Sequence, residues 1–480
     1  MSSIKKNFVY NISITLAQYI SGLITFPYVS RILGVDFYGK TDFVSNIVAY
    51  SSLFALLGAA TVGAREIAIC KNDIQKRTQV FSNILAIIAC MTLLSLLIMS
   101  AATFYVDKLQ SYRSLLMIGS LALIFTSFQF EWFFQGIEKF DYIAKRSILI
   151  KAVYCISIFV FVRSPDDYIL YYALTVASIM VNSIWNIIYA RKFVNITFKN
   201  LEIEKYLKPI CMYGVNKILI SMYTTFNVLY LGFMCNDIQI GYYSVANKLF
   251  TILLGVIYAF TSVILPRMAA LAAENNVNEF RLKTCKSICL IFTVSLPIGI
   301  AGVILAPEIV SVLAGSEYYG AIIPMQIILP VIIIVGFAQV CIMQVLIPLK
   351  KDKFVLHISI IGACTALLIN ILFVHKLGAI GTALVLLSSE LVSDTIAYVY
   401  VIKNKIIYMP WRQLLKRLVS GVPYIGICYM LSEYSNLNAI LTLILAITLC
   451  GVYFLIENAL ILKEFGVLSY IKFPTKRMKS

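Results

Sequence analysis

The sequence predicts an all-α membrane protein that crosses the bilayer many times. Three observations carry this: 60% of its 480 residues are hydrophobic and only 13% are charged, apolar runs of span length recur along the whole chain, and Lys and Arg collect in alternate loops. Ordinary soluble domains are about 45–50% apolar and about 25% charged. Lipid offers the backbone no hydrogen-bond partner, so a crossing segment must be a helix of about 20 mainly apolar residues that satisfies its own amides.

Read between charged breaks, the apolar runs number fourteen and begin near residues 8, 41, 79, 112, 147, 168, 209, 240, 285, 321, 354, 378, 417 and 436. Lys5 and Lys6 precede the first run, which extends to about Ser30 without a small-residue cleavage signal, the pattern of a retained span. The runs 147–162 and 417–432 are the shortest, and loss of either would flip every later segment.

Charge supplies the check. With the N-terminus in the cytoplasm, the outer loops hold only Arg31, Lys40, Lys108, Arg113, Arg163 and Lys376 of the 40 Lys and Arg, while acidic residues divide almost evenly between the two sides. A bias confined to cations is what the positive-inside rule requires, so both termini are expected in the cytoplasm. The outer loops are short, and the longest inner connections are basic, around 191–208 and 267–286.

Other classes fall away on the same evidence. A net charge of +17 suggests nucleic acid only where Lys and Arg gather on one soluble surface, and no soluble domain is present to carry one. The eleven Cys lie mostly in apolar runs, with Cys285 and Cys289 one turn apart, and read as small apolar fillers, not as a disulfide framework or zinc site. A membrane polymerase or glycosyltransferase needs an acid/base or metal-bearing constellation, usually on a substantial loop. Only two His occur, His357 and His375, on opposite expected sides, and Asp166-Asp167 sits in a very short outer loop. No cofactor or metal is expected.

The chain also looks duplicated, as transporter folds often are. At an offset of 202, Gly39 in "DFYGKTDFVSN" falls on Gly241 in "IQIGYYSVANK", and Arg65 falls on Arg267, each at the inner end of a span. An even number of spans restarts the second copy on the same side. Two parallel six-helix lobes are therefore expected, 1–200 and 201–405, followed by two further helices and a basic tail in 406–480.

The stretches "RILGVDFYG" (Arg31 to Gly39), "EWFFQGIEKFDYIAKRSILIK" (Glu131 to Lys151) and "GYYSVANKL" (Gly241 to Leu249) resemble the polysaccharide-exporter branch of the multidrug/oligosaccharidyl-lipid/polysaccharide superfamily, Wzx-type O-antigen and capsule-unit flippases above all. The resemblance covers essentially the whole chain and is specific to the branch, not to one sugar. It implies a two-lobed fold of the MATE and MurJ kind around a cavity that opens alternately inward and outward. The substrate implied is an undecaprenyl-diphosphate-linked oligosaccharide repeat in a bacterial inner membrane, with a polysaccharide polymerase and a chain-length regulator as pathway partners. The rival within the superfamily is a drug or cation antiporter. Arg31 departs from the duplicated pattern, since Phe233 occupies its offset in the second copy.

A lipid diphosphate at mid-membrane needs fixed cations, because burying its charge unpaired is very costly. Lys217, about two turns into the seventh run, and Lys248, about two turns into the eighth, are too deep for easy snorkelling and are the first candidates to meet it. The alternative is that each pairs with an acidic neighbour or a carbonyl. Arg31, Arg65 and Arg267 stand at span ends, where arginines often anchor to headgroups, yet their planar fork suits phosphate oxygens. Comparable arginines line the cavities of related lipid-diphosphate flippases, so the resemblance adds them to the candidate set.

Glu390 and Asp394 lie near the middle of the twelfth run at i,i+4, on one helical face, and are candidates for ion coupling or gating; a permanent salt bridge is the alternative. Lys151, Glu131 and Glu457 lie near the inner face and read as snorkelling or solvated ends. Pro27, Pro324, Pro330 and Pro348 are candidate bends.

Overall fold

The computed structural model describes residues 2–197, 201–433 and 437–461, and every regular element among them is helical. The first half comprises α1 (Ser2–Leu56), α2 (Ala59–Ile69), α3 (Ile74–Tyr105), α4 (Arg113–Ser127), α5 (Glu131–Gly136), α6 (Phe140–Phe161), α7 (Tyr168–Ala190), α8 (Ile203–Ser221) and α9 (Thr225–Met234). The rest comprises α10 (Asp237–Ala273), α11 (Val277–Ile304), α12 (Ala306–Leu313), α13 (Ile322–Ile328), α14 (Val331–Gln339), α15 (Asp352–Ile369), α16 (Ala379–Lys403), α17 (Trp411–Ser420), α18 (Val422–Glu433) and α19 (Ala439–Ile456).

Nine helices among the described residues are long and apolar enough to cross a membrane, and eleven if each of two bent pairs is one span. These criteria stop short of the fourteen expected runs for identifiable reasons. The runs near 8 and 41 share α1, which breaks at Gly34 (φ 69, ψ 175). The run near 147 lies in α6, which carries Lys145, Arg146 and Lys151, and the run near 209 lies in α8, which carries Glu204, Lys205, Lys208 and Lys217. The start near 436 and the basic tail after residue 461 fall outside the described residues.

Local chemistry sets the element ends. The carboxylate of Asp73, in the loop before α3, accepts from the backbone amides of Gln75 and Lys76, both at 3.1 Å. Those bonds, the one from Lys76 foremost, hold it below its ordinary carboxylate range. Asn276 caps α11 and Asn438 caps α19 in the same way. At Gly34 only glycine enters the required conformation without strain, and an added Cβ would stand 2.9 Å from the Glu317 carboxylate. The first helix therefore runs through Pro27 and breaks seven residues later. Pro330 does mark a bend: the segments Ser316–Ile328 and Val331–Leu346 meet at 42°.

The chain packs into two compact units. The first holds the described residues up to Ser244 with Leu313–Tyr318 and Gly362–Leu386. One end of it is an aromatic core: Phe81 packs on Phe130, Trp132 and Phe133 with ring centroids 5.0, 5.6 and 5.2 Å away. The short helix α5 brings these rings in, and it fits against α2 because Gly63 and Gly136 leave room for Trp132 and Ile67. Elsewhere in this unit α1 crosses the start of α10 so closely that a Cβ on Gly39 would lie 2.0 Å from the Asp237 carbonyl, and one on Gly241 would lie 2.5 Å from the Val35 carbonyl.

The second unit holds Val245–Val312, Tyr319–Ile361 and the described residues from Leu387 onward. Its centre is α11, against which α14, α17 and α18 pack. Near one end Leu305, Cys428 and Ala446 form a small buried cluster. The outer side of α19 stays bare, with Ile440, Ile444, Ile447, Val452 and Leu455 all exposed. An aliphatic helix face left open in this way belongs against lipid tails.

Candidate functional site

Lys217 sits on the buried side of α8. Ile210, Gly214 and Ser221, at i−7, i−3 and i+4 from it, are buried, and Lys217 shares their stripe. Gly214 meets Leu57, and Tyr50 donates to the Met222 sulfur at 3.8 Å, so that stripe faces the end of α1 within the first unit. The lysine is half-buried and has no hydrogen bond or ion pair among the described residues.

Lys248, four residues after Ser244 and seven after Gly241, shares their side of α10. It is exposed and likewise without a hydrogen bond or ion pair among the described residues. The helix that bears it is anchored at its start, where Ser244 donates to the Asp42 carboxylate at 2.5 Å and Tyr112 donates to Asp237 at 2.5 Å. Asp42 and Ser244 are themselves 202 positions apart, the offset at which Gly39 falls on Gly241. The two segments aligned at that offset thus meet each other through residues at the same offset.

The three arginines differ from the lysines. Arg65 donates to its neighbour Glu66 at 2.8 Å, and Arg267 donates to Glu279 at 2.8 Å across the turn before α11, where Lys283 also approaches Glu279 at 3.7 Å. Both side chains are about half exposed, and pairs in such surroundings contribute about 0–1 kcal/mol. Arg31 is exposed, and its stem lies against Gly315 in the first unit.

Glu390 and Asp394 lie on one face of α16 inside the second unit. Asp394 is 7% exposed, its Oδ2 has no hydrogen bond, and neither carboxyl has an ion-pair partner among the described residues. In the same unit the end of α14 continues as a π turn over Val340–Leu346. π turns often mark functional positions. Gln339, Gln344, Ser393 and Tyr398 in the same unit each keep at least one buried polar atom without a hydrogen bond. Two carboxyl groups one turn apart, without an ion-pair partner among the described residues, can take up a proton or hold a small cation.

Two acidic residues are not the solvated ends expected. Glu131 is 38% exposed but pairs at 2.9 Å with Arg146, whose side chain is 1% exposed and which also donates to Asn186. Glu457 is 2% exposed and accepts from Ser420 at 2.5 Å and Tyr424 at 2.6 Å. Lys151 lies over the Tyr154 ring at 5.6 Å. Sequence reading passed over Arg146 and Arg417, which is also buried and donates to Thr293 at 2.7 Å. Both stand near the ends of apolar runs, where an interfacial anchor is the ordinary reading, and their partners are distant in sequence. The one available signal was an arginine on the apolar side of its helix.

The family described as polysaccharide biosynthesis protein matches residues 4–272 of the chain. A relative named "Putative O-antigen transporter" from Escherichia coli (strain K12) is 24% identical over 413 residues, spanning 84% of this chain and 98% of its own length. The fold is similar to that of the lipid II flippase MurJ in its inward closed conformation, with a TM-score of 0.78, 12% identity, and coverage of 94% of this chain and 99% of that one. It is also similar to a multidrug resistance MATE family transporter of the MOP superfamily in its outward-facing conformation, with a TM-score of 0.58, 15% identity, and coverage of 83% and 95%. The architecture is therefore of the MurJ and MATE kind, as the sequence motifs implied.

Proposed function

We propose, for a chain that belongs to the polysaccharide biosynthesis protein family, that it moves an undecaprenyl-diphosphate-linked oligosaccharide repeat from the inner to the outer leaflet of the bacterial cytoplasmic membrane by alternating access. The polymer served is an O-antigen, a capsule or a related polysaccharide. The name of the Escherichia coli relative and the MurJ-like fold support this reading, and in it 1–200 and 201–405 act as the two lobes with 406–480 appended.

The observation that carries it is Lys217: a cation on the buried stripe of α8, without an ion pair among the described residues. An ionisable group inside a membrane without a resident counter-charge marks a place where a substrate anion can be met. In this reading Lys217 and Lys248 take the diphosphate during the crossing, while Arg31, Arg65 and Arg267 receive and release it near the two surfaces. Glu390 and Asp394 supply the drive, loading a proton or cation in one conformation and releasing it in the other. The pathway's polymerase and chain-length regulator act on the delivered unit.

The unpaired carboxylates also favour a second reading, a drug or cation antiporter of the same superfamily, since a cationic substrate calls for acidic contacts. Deleting the gene separates the two. Lipid-linked repeats are expected to accumulate facing the cytoplasm and to be cleared by re-expression of the intact chain. Unchanged repeat distribution together with new sensitivity to cationic drugs would replace the flippase by the antiporter.

A further inference from the structure

A shallow cavity of about 550 Å³ opens on the second unit between α17, α18 and α19. Its lining changes character along its length. Arg412 and Lys416 stand one turn apart with Leu415 between them in sequence, Val419 and Pro423 follow one and two turns further along, and Tyr453 of α19 completes the apolar lining. Arg412, Lys416, Val419 and Pro423 fall at i, i+4, i+7 and i+11, so one stripe runs from cationic to aliphatic over about 16 Å of helix.

Neither Arg412 nor Lys416 has a hydrogen bond or ion pair among the described residues, and both are exposed. The depth of the cationic end is marked independently. Tyr408 and Trp411, 60% and 59% exposed, stand immediately before it, and amphipathic aromatics of this kind settle at headgroup level. Val419, 68% exposed and one turn beyond Lys416, belongs below that level among acyl chains.

We propose that this groove is a binding site for an anionic diacyl phospholipid, its phosphate held by Arg412 and Lys416 and one acyl chain laid over Val419 and Pro423. Charge complementarity selects the occupant: two unpaired cations at the headgroup end want a phosphate that carries a net negative charge, and a zwitterionic lipid supplies no net charge. A free phosphate satisfies the cations but leaves the apolar floor uncovered. The site is separate from the residues assigned to transport.

The test uses full-length protein in detergent, with its melting midpoint followed as phosphatidylglycerol, phosphatidylcholine or glycerol 3-phosphate is added. Phosphatidylglycerol alone is expected to raise the midpoint. R412A/K416A is expected to need about thirtyfold more of it for the same rise, since each of the two basic residues near an anionic lipid surface contributes on the order of 1 kcal/mol. V419W, which fills the floor and leaves both charges in place, is expected to blunt the response as well. K403A/K405A, which removes two exposed cations outside the groove, is expected to respond as the parent does. An undiminished response in R412A/K416A, an equal response to phosphatidylcholine or to glycerol 3-phosphate, or an equal loss in K403A/K405A would each overturn the proposal. Should R412A/K416A melt early before any lipid is added, V419W and the lipid comparison on the parent still decide.

Discussion

At the scale of single residues, an unpaired charge differs sharply from a paired one. Arg65 and Arg267 each have an acidic partner within 2.8 Å, whereas Lys217 has none among the described residues. Removing Lys217 therefore withdraws attraction from a visitor without breaking a resident ion pair. Lys217→Ala is expected to lower export of the lipid-linked unit by roughly tenfold, the loss that one charge-assisted contact accounts for. Protein level and membrane insertion should match the parent, and Lys217→Arg should recover part of the activity. Export at the parental rate in both Lys217→Ala and Lys248→Ala would remove the lysines from the path. The carboxylates call for a different measurement. If Glu390 and Asp394 carry the coupling ion, the double variant Glu390→Gln/Asp394→Asn should transport slowly at a rate indifferent to pH and to sodium. A rate that still follows the parental pH or sodium profile would end that assignment.

At the scale of elements, the close crossing of α1 and α10 was foreshadowed by the 202-residue offset in the sequence. The offset that pairs Gly39 with Gly241 also pairs Asp42 with Ser244, and in the fold the first pair lets α1 and α10 cross while the second binds them. A repeat in sequence became a contact in space because equivalent segments met around a local twofold relation. Gly39→Ala would force a Cβ to within 2.0 Å of the Asp237 carbonyl, and backbone cannot yield as a flexible side chain does. The variant should be destabilised by at least about 1–3 kcal/mol, the usual cost of overpacking, read as a lower melting midpoint in detergent. Gly426→Ala, where an added Cβ meets nothing within 4 Å, is the matched control and should melt with the parent. The ion pair of the buried Arg146 with the half-exposed Glu131 was not legible in the same way. Glu131 and Arg146 stand on different helices, and each alone reads as an interfacial residue; only the fold of α5 beneath α6 and α7 joins them with Asn186. Arg146→Ala removes the partner of Glu131 and one of the two donors to Asn186, which keeps the Tyr142 hydroxyl at 3.1 Å, and should cost about 1–3 kcal/mol of stability, whereas a surface anchor would lose almost nothing.

At the scale of the whole molecule, composition and the cation bias were enough to place the chain in a bilayer, because lipid imposes one backbone solution and one charge rule. The number of crossings was harder to read, since hydropathy treats every charge as if it faced lipid. Helix α6 shows why. Lys145, Arg146 and Lys151 make it too charged to qualify by composition, yet Arg146 is buried against Glu131 and Asn186 inside the first unit, and from Ser147 to Phe161 the helix is apolar apart from Lys151. About fifteen residues rise about 22 Å, which with Lys151 snorkelling to one surface approaches the hydrocarbon thickness. The expected outcome is that α6 crosses, and the whole topology after it depends on that step. Alkaline phosphatase, active only outside the cytoplasm, fused after Asp166 should be active, while a fluorescent protein fused after Lys192 should be bright. If α6 lay on the inner surface instead, both readouts would exchange: the Asp166 fusion would be inactive and the Lys192 fusion dark. The outer-loop arginine at 163 and the basic inner segment around 191–208 would then stand on the wrong sides, so the fusions test the charge rule and the span together.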